Sequence, residues 1–303
     1  MENLAKKLGH ILIPMVTPFK PGSEDVDYEL TAKMAAELAS SDYCDTLIVT
    51  GTTGEFNTML HEERIELMRV VKEAVAGRCQ LVAGTGAAST REAVMLTQAA
   101  EKLGYETCMV VAPYYCKPTQ EGIYQHFKRV AESTSMNVML YNIPIFTGVN
   151  VDPVTVGRLS KIDNIVGIKD EAGLNPTQMT EYRRATYPEF TIYNGDDIMV
   201  LCGLVQGAAG VVSGGAHLIG PKMRKMINAF VAGDMQTASE IHHELDPLFK
   251  SFTPNGRVNP MPVLRAAMEM AGMPVGPARM PLDQASEEEK AGVRKQLKRL
   301  GVI

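Results

Sequence analysis

QLVAGTGAASTREAVMLTQAAEKLGYETCMVVA, residues 80–112, carries the pattern that decides the fold. A β-rich run at 80–84 is followed by Ser89 as a helix N-cap, an amphipathic stretch at 90–103, and a second β-rich run at 107–112. Two strands separated by one helix fit a parallel crossover unit, because parallel neighbours need a connection long enough to carry the chain back to the same end. The same alternation continues in both directions. Strand candidates are 11–16, 46–50, 80–84, 107–112, 138–142, 165–169, 190–194 and 209–213. Helical patterns lie between them at 28–39, 62–76, 90–103, 122–133, 153–160 and 176–185, with Asp27, Ser89 and Asp152 placed as N-caps. Repeated strand-then-helix units without a long linker predict a closed (β/α)8 TIM barrel rather than an open sheet. The pattern places the barrel in residues 1–232. From 233 to 303 it is helical only, at 235–250, 261–270 and 286–300, which predicts a C-terminal helical domain.

Composition narrows the function classes. The chain has 303 residues, 45% apolar and 21% charged, with net charge −5, as expected of an ordinary globular protein with a large core. A mildly acidic balance offers no electrostatic footprint for nucleic acid or an anionic membrane. No apolar run approaches the length of a membrane span, and the N-terminal one is too short for a signal peptide. Five cysteines without a CxxC pair suggest neither a disulfide framework nor a zinc site, which fits a cytoplasmic protein.

In a barrel, chemistry belongs where strands end and βα loops begin. The sixth strand candidate ends in Asn164-Ile-Val-Gly-Ile-Lys169, a lysine closing an uncharged run. A strand-tip lysine ordinarily extends its amine into water. Were it buried, desolvation would favour the neutral amine, which is a nucleophile. Its company on the rim supports the second reading. The loop Thr50-Gly-Thr-Thr-Gly-Glu55 suits an anion, with Gly51, Thr52 and Thr53 offering amides and hydroxyls, though small residues also make ordinary turns. Ala83-Gly-Thr-Gly86 shares that ambiguity, and no G-x-G-x-x-G dinucleotide fingerprint is present. Strands four and five end in Ala112-Pro-Tyr-Tyr-Cys116 and Leu140-Tyr-Asn-Ile-Pro144, whose phenols either pack or relay protons. Glu171, two residues after Lys169, shares its face if the strand continues. It then either meets solvent or faces a second substrate as an acid that binds hydroxyl or amine groups or shuttles a proton.

Taken together, Pro14-Met-Val-Thr-Pro-Phe19, GTTGE, AGTG, APYY, YNIP-x-x-TG, GIKD, YNGDD and Asn259-Pro-Met-Pro262 resemble the dihydrodipicolinate synthase and N-acetylneuraminate lyase family of class I aldolases, over nearly the whole chain. The resemblance implies a TIM barrel, a Schiff base with pyruvate or another 2-oxo acid, no metal or organic cofactor, and a homotetramer built as a dimer of dimers. By position it implies Lys169 as the Schiff-base lysine and Tyr141 as its proton-transfer partner. Thr52 would link Tyr141 to Tyr115 of a neighbouring subunit, and Thr53 with the loop amides would hold the carboxylate. Gly195 and Val212 would line the pocket.

The departures concern the second substrate. Phe146 stands where dihydrodipicolinate synthases carry an arginine for aspartate semialdehyde, and a phenyl ring cannot replace a bidentate guanidinium. Ile198 stands where N-acetylneuraminate lyases carry an acid for sugar hydroxyls. These two positions put retro-aldol cleavage or dehydration of a 2-oxo sugar acid ahead of the lysine-pathway condensation, which is kept as the alternative. A non-catalytic 2-oxo-acid-binding barrel and an unrelated phosphate-binding barrel using Ser213-Gly-Gly215 stand behind both. In the family's regulatory lysine pocket Tyr114, His61 and Glu92 match, but Ala88 replaces an asparagine and Arg64 adds a cation, so weak or absent feedback by lysine is expected.

Overall fold

A computed structural model describes residues 4–171, 173 and 175–303. Eight parallel strands close in chain order: β1 Ile11–Pro14, β2 Thr46–Val49, β3 Gln80–Gly84, β4 Thr107–Val111, β5 Asn137–Asn142, β6 Ile165–Asp170, β7 Thr191–Asn194 and β8 Val211–Val212. Helices cover the outside, so the strands are buried on both faces and read as near-continuous apolar runs. Alternation along each strand then sorts two cores. Leu12, Ile48, Val82, Met109, Met139 and Tyr193 fill the barrel, while Ile11, Ile13, Leu47, Val49 and Val110 meet the helices.

The end of the barrel where the strands begin is closed by the short helix Leu4–Leu8, whose Leu4 and Leu8 join the inner core. That leaves the carboxyl ends of the strands as the accessible end. Register there is decisive: Tyr141 of β5 pairs with Lys169 of β6, which pairs with Tyr193 of β7. Three large side chains therefore sit at one level of the inner wall.

Several strands stop short of the sequence-based limits, for local reasons. Thr50 turns to φ +57, which ends β2 at Val49. At β8 the extended reading of 209–213 shrinks to two residues. Gly210 lies so close to the His10 carbonyl that a Cβ there would stand 2.0 Å from the oxygen. Asp27 caps the helix Tyr28–Leu38 by accepting from the Leu30 amide at 3.0 Å. Ser89 and Asp152 occupy N-cap positions but make no side-chain cap bond, Asp152 instead accepting from Asn150 Nδ2 at 3.0 Å.

After the barrel helix Ala216–Val231 come the helices Met235–Lys250, Met261–Met270 and Glu287–Arg299. Ser286 caps the last of them in a reciprocal box with Glu289. These helices return to the rim. Arg265 donates to Glu55 Oε1 at 2.6 Å, and the Arg279 amide donates to Glu55 Oε2 at 2.9 Å, so one carboxylate ties the β2 loop to the C-terminal helices.

Candidate active site

Lys169 is 4% exposed, near the end of β6 and directed into the barrel mouth. Its Nζ stands 3.9 Å from the centroid of the Tyr141 ring and 3.1 Å from Glu171 Oε2. Strand pairing ends at Asp170, yet the Glu171 amide still donates to the Asn142 carbonyl at 2.9 Å. That bond keeps the pleat for one more residue and puts Glu171 on the face of Lys169. The Glu171 side chain is 26% exposed and folds back over the lysine, where Oε2 also accepts the Tyr141 hydroxyl at 3.0 Å. Thr52 Oγ1 approaches that hydroxyl from the other side at 3.5 Å, the outer limit of a hydrogen bond.

Burial governs the electrostatics. It pushes the Tyr141 hydroxyl well above the usual phenol range, with the Glu171 charge adding to the rise. It also raises the Glu171 carboxyl, an effect Asp196 reinforces and Lys169 opposes. Beyond β7, burial raises Asp196 and pushes Asp197 up to about 6.

Gly195 makes room for this cluster. A Cβ at that position would stand 2.5 Å from Lys169 Cε and 3.0 Å from Glu171 Cβ, so a side chain there would displace the lysine stem. The surrounding pocket, about 450 Å³, is lined among others by Thr52, Thr53, Gly195, Val212, Phe146 and Ile198. Gly51 is buried just before the single 3₁₀ turn Thr52–Gly54. Thr17 Oγ1 donates to the Gly54 carbonyl at 2.8 Å, and Thr50 and Glu55, both with positive φ, bracket the turn.

Tyr115 stays apart from the other sequence-predicted residues. It is 91% exposed, adopts φ +69 after β4, and does not line the pocket of its own chain.

Two groups of site residues went unassigned in the sequence. Phe249, Phe252, Val258, Asn259 and Leu264 form the far wall, and Asp196 and Asp197 form the floor beyond β7. The buried Arg265 and Glu55 side chains, 3% and 1% exposed, support the β2 loop from behind. A lone arginine inside the apolar helix Met261–Met270 was the available signal. Elsewhere, Arg64 donates to the Gly84 and Gly86 carbonyls at 2.9 and 3.0 Å and lies over the Phe56 ring, which Tyr114 meets edge-on. His61 pairs with Glu92 at 2.6 Å.

Comparison with known proteins shows the family and the fold. The model of the dihydrodipicolinate synthetase family matches residues 7–300. The 4-hydroxy-tetrahydrodipicolinate synthase of Desulforudis audaxviator is 48% identical over 286 residues, 94% of this chain and 95% of that protein. Among solved structures, the dihydrodipicolinate synthase of Cyanidioschyzon merolae, with lysine bound, superposes at a TM-score of 0.93. It is 39% identical, over 98% of this chain and 99% of that one. The chloride-inhibited enzyme of Acinetobacter baumannii, complexed with pyruvate, gives 0.90 at 33% identity, over 98% and 100%.

Proposed function

The chain belongs to the dihydrodipicolinate synthetase family and is a lyase of the class I aldolase type, and on that footing we propose that Lys169 forms a Schiff base with pyruvate. The observation that carries the reading is the buried Lys169 amine, 3.9 Å over the Tyr141 ring at the end of the barrel where βα loops gather. The free amine attacks the pyruvate carbonyl. Thr53 and the backbone amides from Gly51 onward receive the carboxylate. Tyr141, with Thr52 and a neighbouring subunit's Tyr115, moves the protons that expel water from the carbinolamine, while Gly195 and Val212 shape the pocket around it. The resulting iminium draws electrons from C3, and loss of a proton there gives an enamine that attacks an aldehyde. The covalent imine does the work of a cofactor. Residues 1–232 form the catalytic barrel in this reading and 233–303 a helical domain buttressing its rim, in a cytoplasmic homotetramer.

Incubation with pyruvate and borohydride, then peptide mass spectrometry, tests this. A reduced adduct on Lys169 is expected. No adduct, or one on another lysine, overturns the assignment of Lys169.

For the aldehyde, the relatives' names favour aspartate semialdehyde, the alternative of the sequence reading, and we place it first on their strength. A second reading keeps a specific observation. Phe146, 37% exposed, and Ile198 line the pocket where the family's charged specificity residues would stand, so a hydroxylated 2-oxo acid is the competing substrate. Pyruvate with aspartate semialdehyde, followed by a coupled reductase, separates them. Rapid turnover supports the first, and turnover of 2-oxo sugar acids alone supports the second.

A further inference from the structure

Two kinds of proton move in the pyruvate half-reaction. One leaves oxygen and nitrogen as the carbinolamine collapses, and the other leaves carbon C3 as the enamine forms. The first kind falls to Tyr141 in the proposed Schiff-base mechanism, and the geometry of Glu171 bears on the second.

Glu171 Oε2 is 3.1 Å from Lys169 Nζ and holds the Tyr141 proton at 3.0 Å, whereas Thr52 reaches the same hydroxyl only at 3.5 Å. Tyr141 therefore spends its proton on a carboxylate, and burial keeps that phenol from ionising. It is poorly placed to strip a proton from carbon. The carboxylate beside it is better placed, because a substrate bonded to Lys169 Nζ puts its reacting carbons next to Glu171. With the pyruvate carboxylate drawn to Thr53 after β2, the methyl turns away from that loop. It then faces the β6 and β7 ends, where Gly195 and Glu171 line the pocket.

We propose that Glu171 is the base that removes the C3 proton of the pyruvate iminium and the acid that passes it to the acceptor. The proposal rests on the Schiff-base reading. In the forward step the C3–H bond breaks and its electron pair becomes the C2=C3 bond. The C=N π pair settles on nitrogen, and the proton goes to Glu171 Oε2. In the next step enamine C3 attacks the aldehyde carbon, the iminium re-forms, and the proton on Glu171 is delivered to the new alkoxide oxygen. Charge is conserved throughout, and the carboxylate faces the cationic iminium before and after.

The charged and titratable groups around Glu171 are Lys169 and Asp170 of β6, Tyr141 on β5, and Asp196 and Asp197 after β7. Burial and Asp196 raise its carboxyl while Lys169 restrains the rise.

Loss of the pyruvate methyl signal in D₂O, followed by NMR without any second substrate, reads the step directly. Wild type should exchange the methyl protons. Glu171→Gln should still label Lys169 with pyruvate and borohydride but exchange about 100-fold more slowly. Glu171→Ala should recover exchange as formate is added. Exchange in Glu171→Gln within about threefold of wild type overturns the proposal, as does a Glu171→Ala protein that labels normally and ignores formate. A Glu171→Gln protein that no longer labels Lys169 overturns it as well, since Glu171 would then only support the lysine. Failure of the wild type to label Lys169 is a different result and removes the Schiff-base reading itself.

Discussion

At the scale of single residues, the proposed Schiff-base chemistry depends on where one lysine stem lies. Gly195 is the residue that permits that place, because a Cβ there would fall 2.5 Å from Lys169 Cε. Gly195→Ala should fold with unchanged circular dichroism yet lose about 100-fold in the rate of borohydride-trapped adduct formation, the cost of moving a reacting group by about 1 Å. Adduct formation at the wild-type rate would show that the stem has slack. Arg64 supports a second expectation. Its guanidinium is buried beside the Phe56 ring and donates to the Gly84 and Gly86 carbonyls, close to Tyr114. A cationic ligand such as lysine would meet a like charge there, and Ala88 offers no amide to bind it. Titration with lysine should leave turnover unchanged into the millimolar range, and a large loss of activity would contradict this.

At the scale of elements, the β2 loop and the C-terminal helices act together through Glu55 and Arg265, 3% exposed or less. Removing one charge of a buried pair strands the other and costs about 3–5 kcal/mol. Glu55→Gln should therefore lower the melting temperature and, by loosening the Thr52–Gly54 turn, raise KM for pyruvate more than it lowers kcat. A second network joins β5 and β6. Asp170 accepts from Asn142 Nδ2 at 2.9 Å and from Gln178 Nε2 at 3.2 Å, and burial pushes its carboxyl up from 3.8 to about 6. Its folded pKa lies above the unfolded value, so the folded state binds more protons and stability falls as pH rises from about 4 to 6. Asp170→Asn should remove that fall, measured by urea unfolding across the window. An unchanged slope would mean that other groups carry it. The contrast between these networks shows what the sequence could reveal. Helical patterning made 235–250 and 261–270 legible to the residue, and the run ending in Lys169 marked the rim. The Glu55–Arg265 bond joins residues 210 apart, so no local pattern announces it, and the far wall of the pocket comes from the same distant helices. The face of Glu171 was legible from its spacing to Lys169 provided the strand continued, and the bond of its amide to the Asn142 carbonyl on another strand is what meets that condition.

At the scale of the whole molecule, Tyr115 is the residue a single chain leaves unexplained. It is 91% exposed at φ +69, a conformation a bulky L-residue adopts only when its surroundings enforce it. If a second subunit supplies those surroundings, each pocket is completed by its neighbour, and the two contributions can be separated by mixing. Lys169→Ala lacks the proposed nucleophile but presents an intact Tyr115. Tyr115→Phe keeps the nucleophile but lacks the hydroxyl. Each alone should lose about 100-fold or more in turnover while folding normally. After dissociation and reassembly of equal amounts, half of the pairs are mixed, and each mixed pair holds one site with both wild-type groups. Activity should rise to about a quarter of wild type, as a twofold pairing with shared sites requires. Were Tyr115 to serve its own chain, every site in the mixture would still lack one group and no activity would return. Analytical ultracentrifugation of the same samples links the recovered turnover to the assembled species.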